Sequence, residues 1–191
     1  MLLKLFLINL IRNLLSLIIE GLMKGITFWI TGLPCSGKTT VGLVLKQKLT
    51  SRGHNMVHLD GDIIRKGLNK DLGFSHEDRI ENLRRVAHVA ELFNQNGQDV
   101  IATFVSPTNV HRELVGSIIS NIKLIHADCS PAKCETRDCR GMYAKARQGE
   151  IKEFTGVSAP FEKPSNEHIS VDTEHISPDE SAEIIIEKLN L

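Results

Sequence analysis

Eight consecutive residues, Gly32-Leu33-Pro34-Cys35-Ser36-Gly37-Lys38-Thr39, have the spacing G-x-x-x-x-G-K-T, and that spacing suits phosphate. The glycines let the backbone curl so that successive N–H groups point inward at phosphate oxygens. A helix starting at the second glycine adds the positive end of its dipole. In such a loop Lys38 reaches the β- and γ-phosphates, the Thr39 hydroxyl ligates Mg2+, and Thr40 offers a further hydroxyl. Cys35 reads as a small residue tolerated in the loop and not as a redox switch. Nucleotide binding is the expectation from these residues.

Binding a nucleotide does not define a reaction, so the acceptor must be sought elsewhere. Asp60 and Asp62 close a short apolar run, 55–59, at the position where ligands bind in open α/β sheets. Asp60 reads as a helix N-cap, and Asp62 as the carboxylate that takes a proton from an attacking hydroxyl. No acid closes the run 100–105, which continues into Ser106-Pro107. A motor ATPase or GTPase normally carries a carboxylate there, so its absence favours a kinase for a small metabolite. Ser106 reads either as a hydroxyl facing the cleft or as an ordinary turn serine. Arg65 and Arg79 follow on this side, with Lys145, Arg147 and Lys152 further along. Guanidinium forks suit multiply charged oxyanions. Arg84 and Arg85 read as a solvated helix face.

The elements that must position these groups alternate in period. Residues 26–31 predict a buried strand, followed by the loop and a helix from Gly37 to about Arg52, closed by Gly53. Residues 55–59 predict a second strand. Ser75 caps a helix whose first turn holds Glu77 and Asp78, and whose apolar face carries Ile80, Leu83, Ala87 and Ala90. Gly97 ends it. Residues 100–105, 122–127 and 169–172 predict three more strands, and Ser177-Pro178-Asp179-Glu180 opens a last helix. The expected fold is α/β: a five-stranded parallel sheet in a three-layer P-loop arrangement with helices on both faces. The stretch 138–164, rich in Gly, Lys and Arg, interrupts the rhythm and reads as a mobile basic lid.

The chain has 191 residues, with 23 Lys plus Arg against 23 Asp plus Glu. One domain accommodates that length. Zero net charge, with one Trp and one Tyr, provides neither a basic field nor a stacking platform for nucleic acid. Cys35, Cys129, Cys134 and Cys139 match no metal or disulfide spacing, and read as reduced thiols of a cytoplasmic protein. Residues 1–22 are mostly Leu and Ile, yet Asn9, Arg12, Asn13, Ser16 and Glu20 share one helical arc. Three readings stand, in descending order: an extension preceding a start at Met23, a helix resting weakly on a membrane or partner, and a membrane-spanning helix. The expected domains are therefore 1–22 as an extension and 23–191 as the catalytic unit.

The run 59–75, LDGDIIRKGLNKDLGFS, continues with EDRIEN at 77–82 and is followed by Ser106-Pro107, KARQGEIK at 145–152 and FTG at 154–156. Together these resemble the adenylyl-sulfate kinase (APS kinase) family, from about Lys24 onward. The resemblance implies transfer of phosphate from ATP, with Mg2+, to the 3′-hydroxyl of adenylyl sulfate, giving 3′-phosphoadenylyl sulfate. It implies that Asp62, Arg65, Phe74, Arg79 and Asn82 hold adenylyl sulfate, with Phe154 and Thr155 closing over it. Phe74 and Phe154 would sandwich the adenine. Ser106 falls where the family has a serine described as a phosphorylated intermediate, and it would equally serve as a substrate contact. Arg137, Arg140 and Lys145 would cover the nucleotides. The resemblance also implies ATP sulfurylase as metabolic neighbour and a homodimer. Four places depart from the pattern: Pro34, Thr108-Asn109, Ala144 and Ser158. A kinase for another small anionic metabolite would need the phosphate loop without the run 60–82. A non-catalytic nucleotide-binding subunit would need neither Lys38 nor Asp62.

Overall fold

The structure is a computed structural model that describes residues 24–138, 140–165 and 167–191. The expectations for residues 1–22 and for Cys139 lie outside the described residues. The elements are β1 (Thr27–Thr31), α1 (Lys38–Ser51), β2 (Met56–Asp60), α2 (Gly61–Lys66), α3 (His76–Gln95), β3 (Asp99–Thr103), α4 (Asn109–Ile118), β4 (Ile122–Asp128), α5 (Pro131–Thr136), α6 (Met142–Arg147), β5 (Ile169–Asp172) and α7 (Pro178–Leu189).

All strand pairs are parallel, in the order β2-β3-β1-β4-β5. β1 and β3 are buried at every position, as expected of strands with helices on both faces. Alternate residues feed two cores. Phe28, Ile30, Ile101, Ile125 and Val171 pack on α1 and α7. Trp29, Val100, Ala102 and Phe104 pack on α3 and α4. α1 and α7 are also joined at the surface, where Lys48 meets Asp179 and Glu183.

The helix ends follow the sequence signals. Ser75 accepts from Asp78 N–H, and Ser177 forms a reciprocal cap with Glu180. One expectation needs correction, and one gains detail. β3 ends at Thr103 and not at residue 105, with the Phe104 amide making a last bond to the Ile30 carbonyl at 3.1 Å. Beyond it, the carbonyls of Val105 and Ser106 accept from the Thr31 hydroxyl at 2.6 and 3.3 Å, and Ser106 turns to φ 41°. The basic stretch 138–164 has a core of its own: Leu33, Cys134, Tyr143, Ala146 and Phe154 pack together, so this lid rests on the outside of the phosphate loop.

Candidate active site

The phosphate loop is shaped by positive φ at Gly32 (152°), Cys35 (61°) and Gly37 (93°). A Cβ at Gly32 would lie 2.6 Å from Ser36 Oγ and 2.7 Å from the Ala127 carbonyl, so only glycine fits. Gly37 caps α1 without a side chain, which leaves the first amides of that helix to a ligand. Ser36 is fully buried, and among the described residues its hydroxyl has no partner. Lys38 curls back to donate to the Leu33 carbonyl at 2.6 Å. Burial lowers its pKa to about 8, against the pull of Cys134, Cys35, Asp60 and Asp62. An orphaned hydroxyl, a buried ammonium and free helix-start amides fit a polyphosphate. Pro34 and Cys35 form the outer turn, and the Pro34 carbonyl accepts from the Tyr143 hydroxyl at 3.0 Å. Thr40 is exposed at the start of α1.

Asp60 does more than cap a helix, which is the role its sequence position suggests. Its carboxylate accepts from Asp62 N–H at 2.9 Å, from Thr39 Oγ1 at 2.9 Å and from Thr103 Oγ1 at 2.9 Å. Burial opposes its charge, yet the bonds from Thr103, Thr39 and the Asp62 and Ile63 amides hold its pKa below the usual carboxylate range. The strand order brings this about, because β3 alone separates β2 from β1. A hydroxyl backed by a carboxylate is an oxygen set that fits Mg2+.

Two residues on, in the first turn of α2, Asp62 is exposed and faces the lid, where Arg140 Nη1 lies 2.9 Å from Oδ2. Arg65 donates to the carbonyls of Gly73 at 2.8 Å and Leu72 at 3.3 Å, and its guanidinium lies 4.4 Å over the Phe74 ring. Arg79 donates to Phe74 O at 2.9 Å, to Glu153 O at 2.7 Å and to Thr155 Oγ1 at 3.5 Å. Arg65, Phe74, Arg79 and Thr155 are therefore together. Asn82 is buried beside them and accepts from Asn69 Nδ2 at 3.0 Å.

Other expected residues sit differently. Phe154 is buried in the lid core, edge-on to Tyr143 at 5.0 Å, whereas Phe74 is 61% exposed. The two do not form an open sandwich here. Ser106 does not face the cleft. It is 2% exposed, and its hydroxyl accepts from Trp29 Nε1 at 3.0 Å. The strained turn keeps it there, with Arg112 Nη1 donating to its carbonyl at 2.6 Å. Arg112 Nη2 also reaches Asn109 Oδ1 at 2.7 Å and Glu162 O at 2.8 Å, tying the return leg of the lid to the Ser106 turn.

Arg137 donates to Thr173 O at 2.8 Å, and the Thr173 hydroxyl donates to Ser36 O at 2.7 Å, so Arg137 is one link from the phosphate loop. Lys145 is exposed on α6. Arg147 turns away from the cleft and pairs with Glu135 at 2.7 Å. Arg84 and Arg85 pair with Glu81, and Arg85 also with Asp71, which is the surface role expected of them. The residue that sequence reasoning undervalued is Asp60. The available signal was only an acid at the end of the strand that follows the phosphate-loop helix; its closeness to Thr39 is set by the sheet order.

Residues 24–172 match the family model described as adenylylsulphate kinase. The adenylyl-sulfate kinase of Phocaeicola vulgatus is 46% identical over 166 residues, covering 86% of this chain and 81% of its own. That of Staphylococcus epidermidis is 46% identical over 168 residues, covering 87% and 84%. Among solved structures, the Mycobacterium tuberculosis APS kinase CysC in complex with AMPPNP and APS superposes with a TM-score of 0.84. It is 41% identical, and the match covers 88% of this chain and 99% of that one.

Proposed function

The chain belongs to the adenylyl-sulfate kinase family, and from that premise we propose that it transfers the γ-phosphoryl group of ATP to the 3′-hydroxyl of adenylyl sulfate. The products are 3′-phosphoadenylyl sulfate and ADP. The observation that carries this reading is the continuity through Asp60. Its carboxylate holds Thr39 on the donor side and caps the helix whose first turn presents Asp62 on the acceptor side. Donor and acceptor machinery are thus built on one rigid junction, and such positioning is what in-line phosphoryl transfer needs.

The Gly32–Thr39 loop and Thr40 hold the triphosphate, with Lys38 on its terminal groups and Arg137 over the nucleotide. Thr39, backed by Asp60, would hold Mg2+, which when bound would supply positive charge to offset that of the transferring phosphate. Arg65 and Arg79 take the phosphosulfate, Phe74 stacks on the adenine, and Asn82 lies beside it. Phe154, Thr155 and Lys145 complete the acceptor site when the lid moves. Asp62 accepts the proton of the 3′-hydroxyl as its oxygen bonds to phosphorus and the bridging oxygen leaves with ADP. Opposite it, Arg140 offers a cation to the transferring group. Ser106, buried against Trp29, fits a positioning contact better than a nucleophile. The same reading puts the enzyme in the cytoplasm beside the ATP sulfurylase that supplies adenylyl sulfate, as a homodimer, with residues 1–22 as a weak membrane or docking element. Among the described residues no helix is long and apolar enough to cross a membrane.

Coupled ADP release by the full chain with Mg-ATP tests the proposal. The rate is expected to depend on adenylyl sulfate and to vanish in Lys38→Ala and Asp62→Ala. A folded, ATP-binding protein whose turnover ignores adenylyl sulfate would overturn it in favour of another acceptor.

A further inference from the structure

A cavity of about 930 Å³ lies outside the machinery described above. Its location follows from strand parity. In β4 and β5, Ile125, Ala127 and Val171 point into the core shared with α1 and α7. Their neighbours His126, Asp128, Ser170 and Asp172 point to the opposite face, where the register pairs His126 with Ser170 and Asp128 with Asp172. All four line the cavity, and the lid segment 156–161 together with Lys163 closes over them. The phosphate loop contributes only Leu33 to the lining. Arg65, Arg79, Lys38 and Arg137, which serve the two substrates, are absent from it.

The lining has a definite chemistry. His126 is 4% exposed and its ring stacks on Phe161 at 5.7 Å. Among the described residues its contacts are with rings, Phe161 and His168, and no hydrogen bond engages its nitrogens. Burial lowers its pKa to about 4, so it is a neutral imidazole able to accept or donate one bond. Around it stand three carboxylates, Asp128, Asp172 and Glu174, against one ammonium, Lys163. Asp172 is engaged by His175 at 2.9 Å and Glu174 by the Ser130 amide at 2.9 Å. Asp128 is the least engaged, with Lys163 no nearer than 3.5 Å. Such a site repels phosphate and sulfate, so the polyanionic substrates are the wrong ligands for it. It offers an aromatic wall, a neutral hydrogen-bonding nitrogen and an acidic rim.

We propose that this cavity on the outer face of β4 and β5 is a second, non-substrate binding site for a small cationic aromatic amine. The ring lies against Phe161 and His126, and the ammonium meets Asp128. The site does not rest on the phosphoryl-transfer reading: of its lining only Leu33 belongs to the phosphate loop, and no side chain assigned to the chemistry lines it.

Calorimetric titration of the full chain, saturated with Mg-AMPPNP and adenylyl sulfate, tests this with two probes of opposite charge. Tryptamine is expected to bind one-to-one, and indole-3-acetate more weakly by about tenfold or more, equivalent to about 1.4 kcal/mol. His126→Phe keeps the aromatic wall and is expected to weaken tryptamine binding while leaving the rate of ADP release unchanged. Asp128→Lys, at a partly exposed position less critical to folding, is expected to reverse the order of the two probes. Absence of saturable tryptamine binding at millimolar concentration would overturn the proposal. So would tryptamine binding that appears only when the two nucleotides are left out, which would assign the binding to the nucleotide sites. Binding that fades as the protein self-associates with concentration would assign the groove to a second copy, and would also overturn it.

Discussion

The donor and acceptor halves of this site are held in opposite ways. On the donor side Thr31, Ser36 and Lys38 are buried, and the loop is fixed by glycine backbone that accepts no Cβ. On the acceptor side Phe74, Asp62 and Arg140 are largely exposed, and Arg65 and Arg79 are anchored by backbone carbonyls of neighbouring loops. Phosphate is the same in every nucleotide, so its cradle is built once into the main chain. The acceptor must enter between separate elements, so its ligands sit on segments that can part. Arg79 couples the two segments by holding Phe74 and the lid residues Glu153 and Thr155 together.

The hardest test of this contrast is Asp60, where the halves meet. Asp60→Ala leaves the Thr39 and Thr103 hydroxyls and the Asp62 amide without their acceptor. Groups that orient a metal ligand are typically worth about 10–100-fold in activity or metal affinity, and a lost N-cap costs about 1 kcal/mol. Steady-state kinetics across a magnesium series should show kcat/KM down on the order of 100-fold, with part recovered at high Mg2+. A fall in adenylyl sulfate affinity alone would mean that Asp60 serves only one half.

Phe74 belongs to one half only. Phe74→Ala is expected to raise the KM for adenylyl sulfate by about tenfold, from the roughly 1–3 kcal/mol of a base stack, with the Mg-ATP KM unchanged. At 61% exposure the ring contributes little to folding, so the melting temperature should hold.

The phosphate loop was legible in the sequence because its function depends on local backbone geometry, which glycine spacing encodes. The strands, caps and the surface role of Arg84 and Arg85 were legible for the same reason. Three features were not. The bond from Thr39 to Asp60 depends on which strands are neighbours, and residues 21 apart carry no trace of that. The inward turn of Ser106 depends on a positive φ in a residue that is not glycine. The burial of Phe154 depends on the lid having a core with Tyr143 and Leu33, whereas its composition suggested a mobile basic lid and gave no sign of such a core.

Proton linkage separates the halves by a smaller effect. Lys38 is buried, with a pKa of about 8 in the nucleotide-free protein, and phosphate prefers its charged form. The sign follows directly: below pH 8 the ammonium is already present and affinity is flat. Above pH 8 binding must first protonate Lys38, so the Kd for Mg-ATP rises by up to about tenfold per pH unit. Calorimetry near pH 9 in buffers of different ionisation enthalpy should show proton uptake, which Lys38→Met abolishes. Adenylyl sulfate, which the proposed assignment places on Arg65 and Arg79, should bind without this dependence.

The smallest effect concerns the turn that joins the halves from beneath. Trp29 lies in β1, fully buried, stacked on Phe104 at 5.1 Å, with its indole N–H on Ser106 Oγ. Trp29→Phe keeps the aromatic packing and removes that donor, at a net cost of about 1 kcal/mol. Arg112 and Thr31 still hold the Ser106 carbonyl, so the backbone turn persists while the hydroxyl is freed. If Ser106 is a positioning contact, kcat/KM for adenylyl sulfate should fall by only about two- to fivefold, and Ser106→Ala should behave the same way because it deletes the other end of one bond. The double variant should then be no worse than either single one, since partners in one interaction are not additive. A Ser106→Ala variant that loses all turnover while Trp29→Phe keeps it would give the hydroxyl a direct part in the chemistry, and would move Ser106 from the scaffold into the acceptor half.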